Sequence, residues 1–459
     1  MTRPGSPAQI EHPEREGSPT MDADNGRVLT VPPAAASSVV VDGAAAPKTA
    51  EKPARRGPVA HIGQLTGIRA VAALWVLTFH FRPELLKAFG FLYPLVPVFN
   101  VGYLGVDLFF VLSGFILTLT HLDRMAENWG PKKMAGFLWL RLSRIWPVLF
   151  FMLLVWGAYH AFSVEANNDG RLQAALDPSR FLSHVFLVHA WSTAHHDWNP
   201  VDWSLSAEWL AYLVFTVLVV ILARMLVHVS SRALLVTAGV LTVPMVVIGT
   251  GFQDGSDLLW NGDTIVAGIV PLRVLTEFFA GAVVALLVMR HGSTVKLPWF
   301  LKPTTILVAI VVVVYAVQRW DPAPRFRFDQ DWRINGHLMW GSTETVVVVP
   351  LFLLLIGSLA VSRRDPATRL LASRVLVWGG KISFSLYMVH WLFLDLARKM
   401  IYSKLAIPEQ LSGWQSWPFR TTVLVAIGLA VLSAHLVYRF VEEPCRRIMR
   451  TLLPSSMRV

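Results

Sequence analysis

From residue 65 onward the chain is a succession of apolar runs separated by short polar stretches, each run close to the roughly 20 residues a helix needs to cross a bilayer. The pattern predicts helices at 65–85, 101–121, 138–160, 203–227, 233–250, 264–289, 303–319, 338–361, 376–396 and 421–441. The expected fold class is an all-α integral membrane protein of about ten transmembrane helices. No internal repeat is visible, which disfavours the inverted-repeat transporter folds. Residues 1–60 carry no such run and are rich in Pro, Ala, Ser, Gly and charge, so a disordered cytoplasmic N-terminal tail is expected there. Arg3 is followed by a polar stretch, not by the apolar core of a signal peptide. The expected division is this tail, a membrane domain over 61–448, and a short basic cytoplasmic tail over 449–459.

Charge orients the bundle. Lys132–Lys133, Arg224 with Arg232, Arg290 with Lys296, Arg363–Arg364 and the closing Arg446, Arg447 and Arg450 fall on one side. The connection 251–263 on the other side holds Asp254, Asp257 and Asp263 and no basic residue. By the positive-inside rule both termini are cytoplasmic, although Arg325, Arg327, Arg333 and Arg398–Lys399 depart from it. The longest outer connection, 161–202, has the length of a lid or re-entrant element.

Composition agrees with a membrane class: 54% of the 459 residues are hydrophobic and 15% charged, against about 25% charged in a soluble domain. The net charge of +11 lies between the apolar runs and not on a basic face interleaved with aromatics, so nucleic acid is not an expected partner. The single cysteine, Cys445, has no partner for an intramolecular disulfide. His195–His196–Asp197 lacks a second helix-spaced ligand pair, so no metal is expected.

The candidate chemistry lies in polar residues placed inside the apolar runs. These are His80 in IRAVAALWVLTFHF, Asp107 in GYLGVDLFFVLSGF, Glu208 in WSLSAEWLAYLVF and His390 in ISFSLYMVHWLF. A charge at the bilayer centre costs about 2.5–3.5 kcal/mol on insertion scales, so such residues mark a function or a specific partner. Arg69 precedes His80 by eleven positions, about 16 Å along a helix, which puts the arginine at the cytoplasmic boundary and the imidazole near the midplane. Arg141 and Arg144, three apart in RLSRIWP, share a helical face and suit an anion such as a phosphate. Tyr387 and His390 are also three apart, and Ser113–Gly114 allow close helix contact. Each feature has a plainer reading: an interhelical hydrogen bond for His80, an ion pair to another arginine for Asp107, and interfacial anchoring for the arginines. As a set, buried His, Asp and Glu also suit a proton-coupled transporter or flippase of a polar or lipid-linked solute.

The ordered combination of Arg69-x10-His80, GYLGVDLFFVLSGFIL (102–117), RLSRIWP (141–147), WSLSAEW (203–209), ISFSLYMVHW (382–391) and FVEEP (440–444) resembles the acyltransferase-three family of bacterial integral membrane O-acyltransferases. The resemblance implies a ten-helix core in the bacterial plasma membrane. It implies transfer of an acyl group from cytoplasmic acyl-CoA, acetyl-CoA first among the donors, to a hydroxyl of a sugar, glycolipid or other metabolite acceptor. No permanently bound cofactor is implied, and membrane lipids are the surroundings. Carried over residue by residue, His80 is the essential histidine, Arg69, Arg141 and Arg144 belong to the donor side, and Asp107 and Glu208 match the motif acids. Ser113, Tyr387 and His390 stand as acceptor-side or supporting residues. Many family members carry a further soluble domain, and none is expected from these 459 residues. The expected mechanism has His80 as general base, with Asp107 or Glu208 orienting its imidazole; direct transfer and an acyl-histidine intermediate both fit.

Overall fold

The computed structural model describes residues 63–127, 129–162, 177–191, 198–244, 260–261, 264–265, 269–292, 295–320, 343–401 and 417–457, all within one unit, Gly57–Val459. The 1–60 tail, His195–His196–Asp197, the acidic trio Asp254, Asp257 and Asp263, and Arg325, Arg327 and Arg333 lie outside the described residues.

The long apolar runs form helices because a backbone in hydrocarbon must bond its own polar groups, and a helix does so within a single segment. In chain order they are α1 (Gly63–Ala88), α2 (Val96–Asn100), α3 (Leu104–Glu127), α4 (Pro131–Phe162), α5 (Pro178–Val185), α6 (Trp203–His228) and α7 (Ser231–Val240). After them come α8 (Ile269–His291), α9 (Pro303–Trp320), α10 (Thr343–Val361), α11 (Pro366–Leu371), α12 (Arg374–Lys399), α13 (Trp417–Val437) and α14 (Glu443–Thr451), with a π-helical turn at Tyr438–Glu442 joining the last two. Five helices are long and apolar enough to cross a membrane: Leu104–Glu127, Pro131–Phe162, Trp203–His228, Pro271–His291 and Trp417–Thr451. Helices α1 and α12 have 26 residues each but are more polar, since they carry Arg69, His80 and His390.

Several boundaries differ from the sequence expectation: α3 runs on to Glu127, six residues past the expected end, α4 begins at Pro131, seven before the expected start, and two further runs change more. The run at 264–289 opens with Thr264–Ile265 paired antiparallel with Trp260–Asn261, and the helix begins at Ile269. This two-residue pair is the one departure from all-α structure among the described residues, and it involves β-branched side chains suited to a strand. The run expected at 233–250 is helical over Ser231–Val240, with the Ser230 hydroxyl accepting from the Ala233 N–H at 3.2 Å as N-cap.

The most extensive helix–helix contacts are α3 with α8, α1 with α12, and α12 with α13. The first depends on two glycines facing each other's backbones. A methyl group on Gly114 would land on the carbonyl of Phe278, and one on Gly281 on the carbonyl of Val111. Small residues let helices approach this closely where lipid supplies no hydrophobic drive for association. Around these contacts the four site helices α1, α3, α6 and α12 converge, with α4 alongside.

Candidate active site

Helix α12 carries the centre of the site. His390, buried, directs its Nδ1 at the carbonyl of Tyr387 at 2.7 Å and of Leu386 at 3.2 Å, one turn back along the same helix. Its Nε2 lies 2.8 Å from Nδ1 of His80 on α1, 310 residues away in sequence. The ring centres are 5.0 Å apart with planes 21° from parallel. That separation is what two imidazoles require when joined nitrogen to nitrogen and lying nearly in one plane. Trp391 presents its ring to His80 edge-on at 4.6 Å, and Phe79 does so at 5.0 Å.

One to two turns toward the start of α12, Ser383, Phe384 and Tyr387 form part of the wall of a cavity. Arg69 of α1, Ser113 of α3, Arg141 and Arg144 of α4, and Ser204, Glu208 and Tyr212 of α6 complete its polar lining. The Nε atoms of Arg69 and Arg141 are buried without a hydrogen-bond partner among the described residues. Their guanidinium carbons lie 5.8 Å from the Phe109 ring centre and 5.6 Å from that of Phe137. Glu208 accepts hydrogen bonds from Ser113 and, at 2.5 Å, from the Tyr212 hydroxyl. The Tyr387 hydroxyl donates to the Val201 carbonyl at 2.8 Å and sits 2.9 Å from the Ser204 hydroxyl. Three guanidiniums surround one small cavity, with Glu208 in its wall and the buried Glu442 carboxylate close to Arg69 and Arg144, so the cations outnumber the carboxylates in a medium that screens poorly. An anionic ligand is the natural occupant.

The structure therefore gathers Arg69, Arg141, Arg144, Ser113, Glu208 and Tyr387 around the cavity and pairs His80 with His390 beside it. His80 is not in the cavity lining. Neither acid expected to orient its imidazole is bonded to it. Asp107, fully buried, accepts from Nε of Arg273 on α8 at 2.8 Å, and Arg273 also approaches Glu277 at 3.5 Å. Glu208 is engaged by Ser113 and Tyr212. The partner of the His80 imidazole is instead His390.

Arg273 and Glu277 are not among the expected site residues, although a charged pair four residues apart inside the run IVPLRVLTEFF is a readable signal. Tyr212, four residues after Glu208, is a second. A third group, His184, His189 and Asp202, comes from the 161–202 connection and is wholly buried. Asp202 Oδ2 lies 2.9 Å from Nδ1 of His184, and Oδ1 lies 3.2 Å from Nε2 of His189. Burial pushes the Asp202 carboxyl up, but the two imidazoles outweigh it and hold the group below the usual carboxylate range. The rings are stacked 3.9 Å apart and 18° from parallel. The ligand atoms of the three residues all lie within 4.8 Å of one another. The turn between them passes through Leu187 at φ 60° and is held to α6 by Ser206, whose hydroxyl donates to the Leu187 carbonyl at 2.8 Å and accepts from the Ala190 N–H at 3.0 Å.

A family model described as an acyltransferase domain matches residues 62–439. The acyltransferase MdmB of Streptomyces mycarofaciens is 26% identical over 411 residues, which cover 87% of this chain and 95% of MdmB. A candidate O-acetyltransferase of Staphylococcus aureus strain COL is 22% identical over 84% of this chain, and the candidate peptidoglycan O-acetyltransferase YrhL of Bacillus subtilis strain 168 is 24% identical over 84%. The chain spans 58% and 55% of the length of those two proteins. No solved structure matches. Helices long and apolar enough to cross a membrane, an arginine-lined cavity and a family model matched over residues 62–439 agree: this chain belongs to the acyltransferase-three family and is an enzyme that transfers acyl groups.

Proposed function

We propose that the protein is a multi-pass enzyme of the bacterial plasma membrane that moves an acyl group from acyl-CoA to a hydroxyl of a sugar, glycolipid or metabolite. In this reading residues 61–448 form the membrane domain, with about ten spanning helices and both termini cytoplasmic. The observation that carries the reading is the cavity where Arg69, Arg141 and Arg144 converge, two of them with buried, unpartnered Nε atoms. Phosphate oxygens of CoA, or acetyl-CoA in the simplest case, would accept from these guanidiniums, for which bidentate geometry is well suited.

Tyr387 of the cavity wall lies one turn before His390 on α12, their ring centres 5.9 Å apart, so a pantetheine arm lying along this helix would bring its thioester toward His80. His80 then removes the proton from the acceptor hydroxyl as its oxygen attacks the thioester carbonyl. The C–S bond breaks, and the CoA thiolate leaves with the proton that His80 returns. Glu208, held by Ser113 and Tyr212, sets the charge balance of the donor cavity and does not touch the imidazole.

The experiment is turnover of labelled acetyl-CoA by the full-length protein in nanodiscs, wild type beside His80→Ala. Thioester consumption lost in His80→Ala, with CoA binding retained, supports the reading. A wild type that neither binds nor consumes acetyl-CoA refutes the donor assignment.

A further inference from the structure

We infer that His390 is the positioning residue that fixes the tautomer of His80, so that Nε2 of His80 is the atom that takes the acceptor's proton. The inference rests on the reading of His80 as general base and adds which nitrogen acts and what holds it.

The argument is one of hydrogen-bond inventory. A backbone carbonyl only accepts, so Nδ1 of His390, at 2.7 Å from the Tyr387 carbonyl, must carry a hydrogen. In a neutral imidazole the other nitrogen is then a bare lone pair. That lone pair, on Nε2, faces Nδ1 of His80 at 2.8 Å, so His80 must be the donor in this contact. With its own hydrogen on Nδ1, neutral His80 is left with the lone pair on Nε2. The reverse arrangement would require His390 to hold both hydrogens and a charge in the bundle interior, where a carbonyl pair is its only other support.

Two consequences follow for the proton. When the acceptor hydroxyl is deprotonated, its proton goes to His80 Nε2, and the imidazolium so formed keeps Nδ1–H bonded to His390. His390 stabilises that cation as an acceptor and does not itself take the proton from substrate, because its single lone pair is occupied by His80. The proton then leaves from Nε2 to the departing thiolate, and both histidines return to their starting tautomers. This is the orienting role that a carboxylate fills in many acid–base pairs, performed here by a neutral imidazole clamped to its own helix.

The test is nitrogen-15 NMR of the full-length protein labelled at histidine and reconstituted in lipid bilayers, with the His80 signal identified by its loss in His80→Gln. The expected result is His80 with hydrogen on Nδ1 and an unprotonated Nε2. In His390→Ala the His80 signal spreads over both tautomers, and kcat falls at least about tenfold while KM for acetyl-CoA stays within about twofold. His390→Gln, whose amide oxygen can accept from His80, recovers part of kcat. Wild-type His80 carrying its hydrogen on Nε2, or a wild-type kcat in His390→Ala, overturns the inference. The tautomer measurement needs no activity. A protein that consumes no acetyl-CoA, or a His80→Ala variant that does, therefore removes the general-base reading itself, while the NMR still judges the histidine pair.

Discussion

Arg273 and Asp107 form an ion pair between α8 and α3 in which both side chains are almost wholly withdrawn from solvent, and the Arg273 Nε–H reaches Asp107 Oδ1 at 2.8 Å. Glu277 flanks the same guanidinium. Removing one member of such a group leaves an uncompensated buried charge, at a cost of about 3–5 kcal/mol. Arg273→Met should therefore lower the unfolding midpoint of the protein in detergent by many degrees. Asp107→Leu and Glu277→Leu combined with Arg273→Met should recover a large share of that loss. A triple variant no more stable than the single one would mean that this charged group is not what holds α3 to α8.

Glycine at 114 and 281 is a second requirement of the same helix contact. Gly114→Val and Gly281→Val each push a side chain into the carbonyl of the opposite helix, and both should fail to accumulate or should unfold at markedly lower temperature. Gly428→Val supplies the control, because a side chain there meets nothing within 4 Å. Equal stability of the three variants would show that the close approach of α3 and α8 is not needed.

Donor affinity should depend on the arginines individually. Arg141→Ala and Arg144→Ala each remove charge-assisted hydrogen bonds, and acetyl-CoA binding should weaken about 10–100-fold for each. Lysine at either position should restore little, since an ammonium cannot make the paired contact of a guanidinium. Calorimetric titration of each variant with acetyl-CoA checks this, and unchanged affinity would move the donor elsewhere.

Asp202 links acid stability to the packing of the 161–202 connection. Its carboxyl titrates below the ordinary range because His184 and His189 flank it, despite its burial. The folded-state value being lower than the unfolded one of about 3.9, the stabilisation is complete above that pH and is lost only as pH falls through the folded value. Asp202→Asn should cost about 1–3 kcal/mol at neutral pH by leaving the buried imidazoles poorly matched. The contribution of the Asp202 carboxyl itself should be lost only in strong acid, as pH falls through its lowered folded-state value. An Asp202→Asn variant that unfolds at the wild-type temperature at neutral pH would contradict the assignment.

Much of this protein is legible in its amino-acid sequence. Runs of apolar residues determine helices in a membrane, because hydrocarbon leaves the backbone no other partners, and the order of polar motifs along those helices carries the family and the enzyme class. Contacts one helical turn apart are also within reach of spacing alone, as Glu208 with Tyr212 and Arg273 with Glu277 demonstrate. Which helix each polar residue faces is not. His80 meets His390 across 310 positions, Asp107 meets Arg273 across 166, and Ser113 meets Glu208 across 95. The physical reason is that such a pairing depends on how far each helix is rotated about its axis and how closely it crosses its neighbour. Those quantities are set by glycine contacts and ridge packing between distant segments. An acid on α3 and a histidine on α1 have the chemistry of partners; packing gives the acid to Arg273 and gives the histidine another histidine.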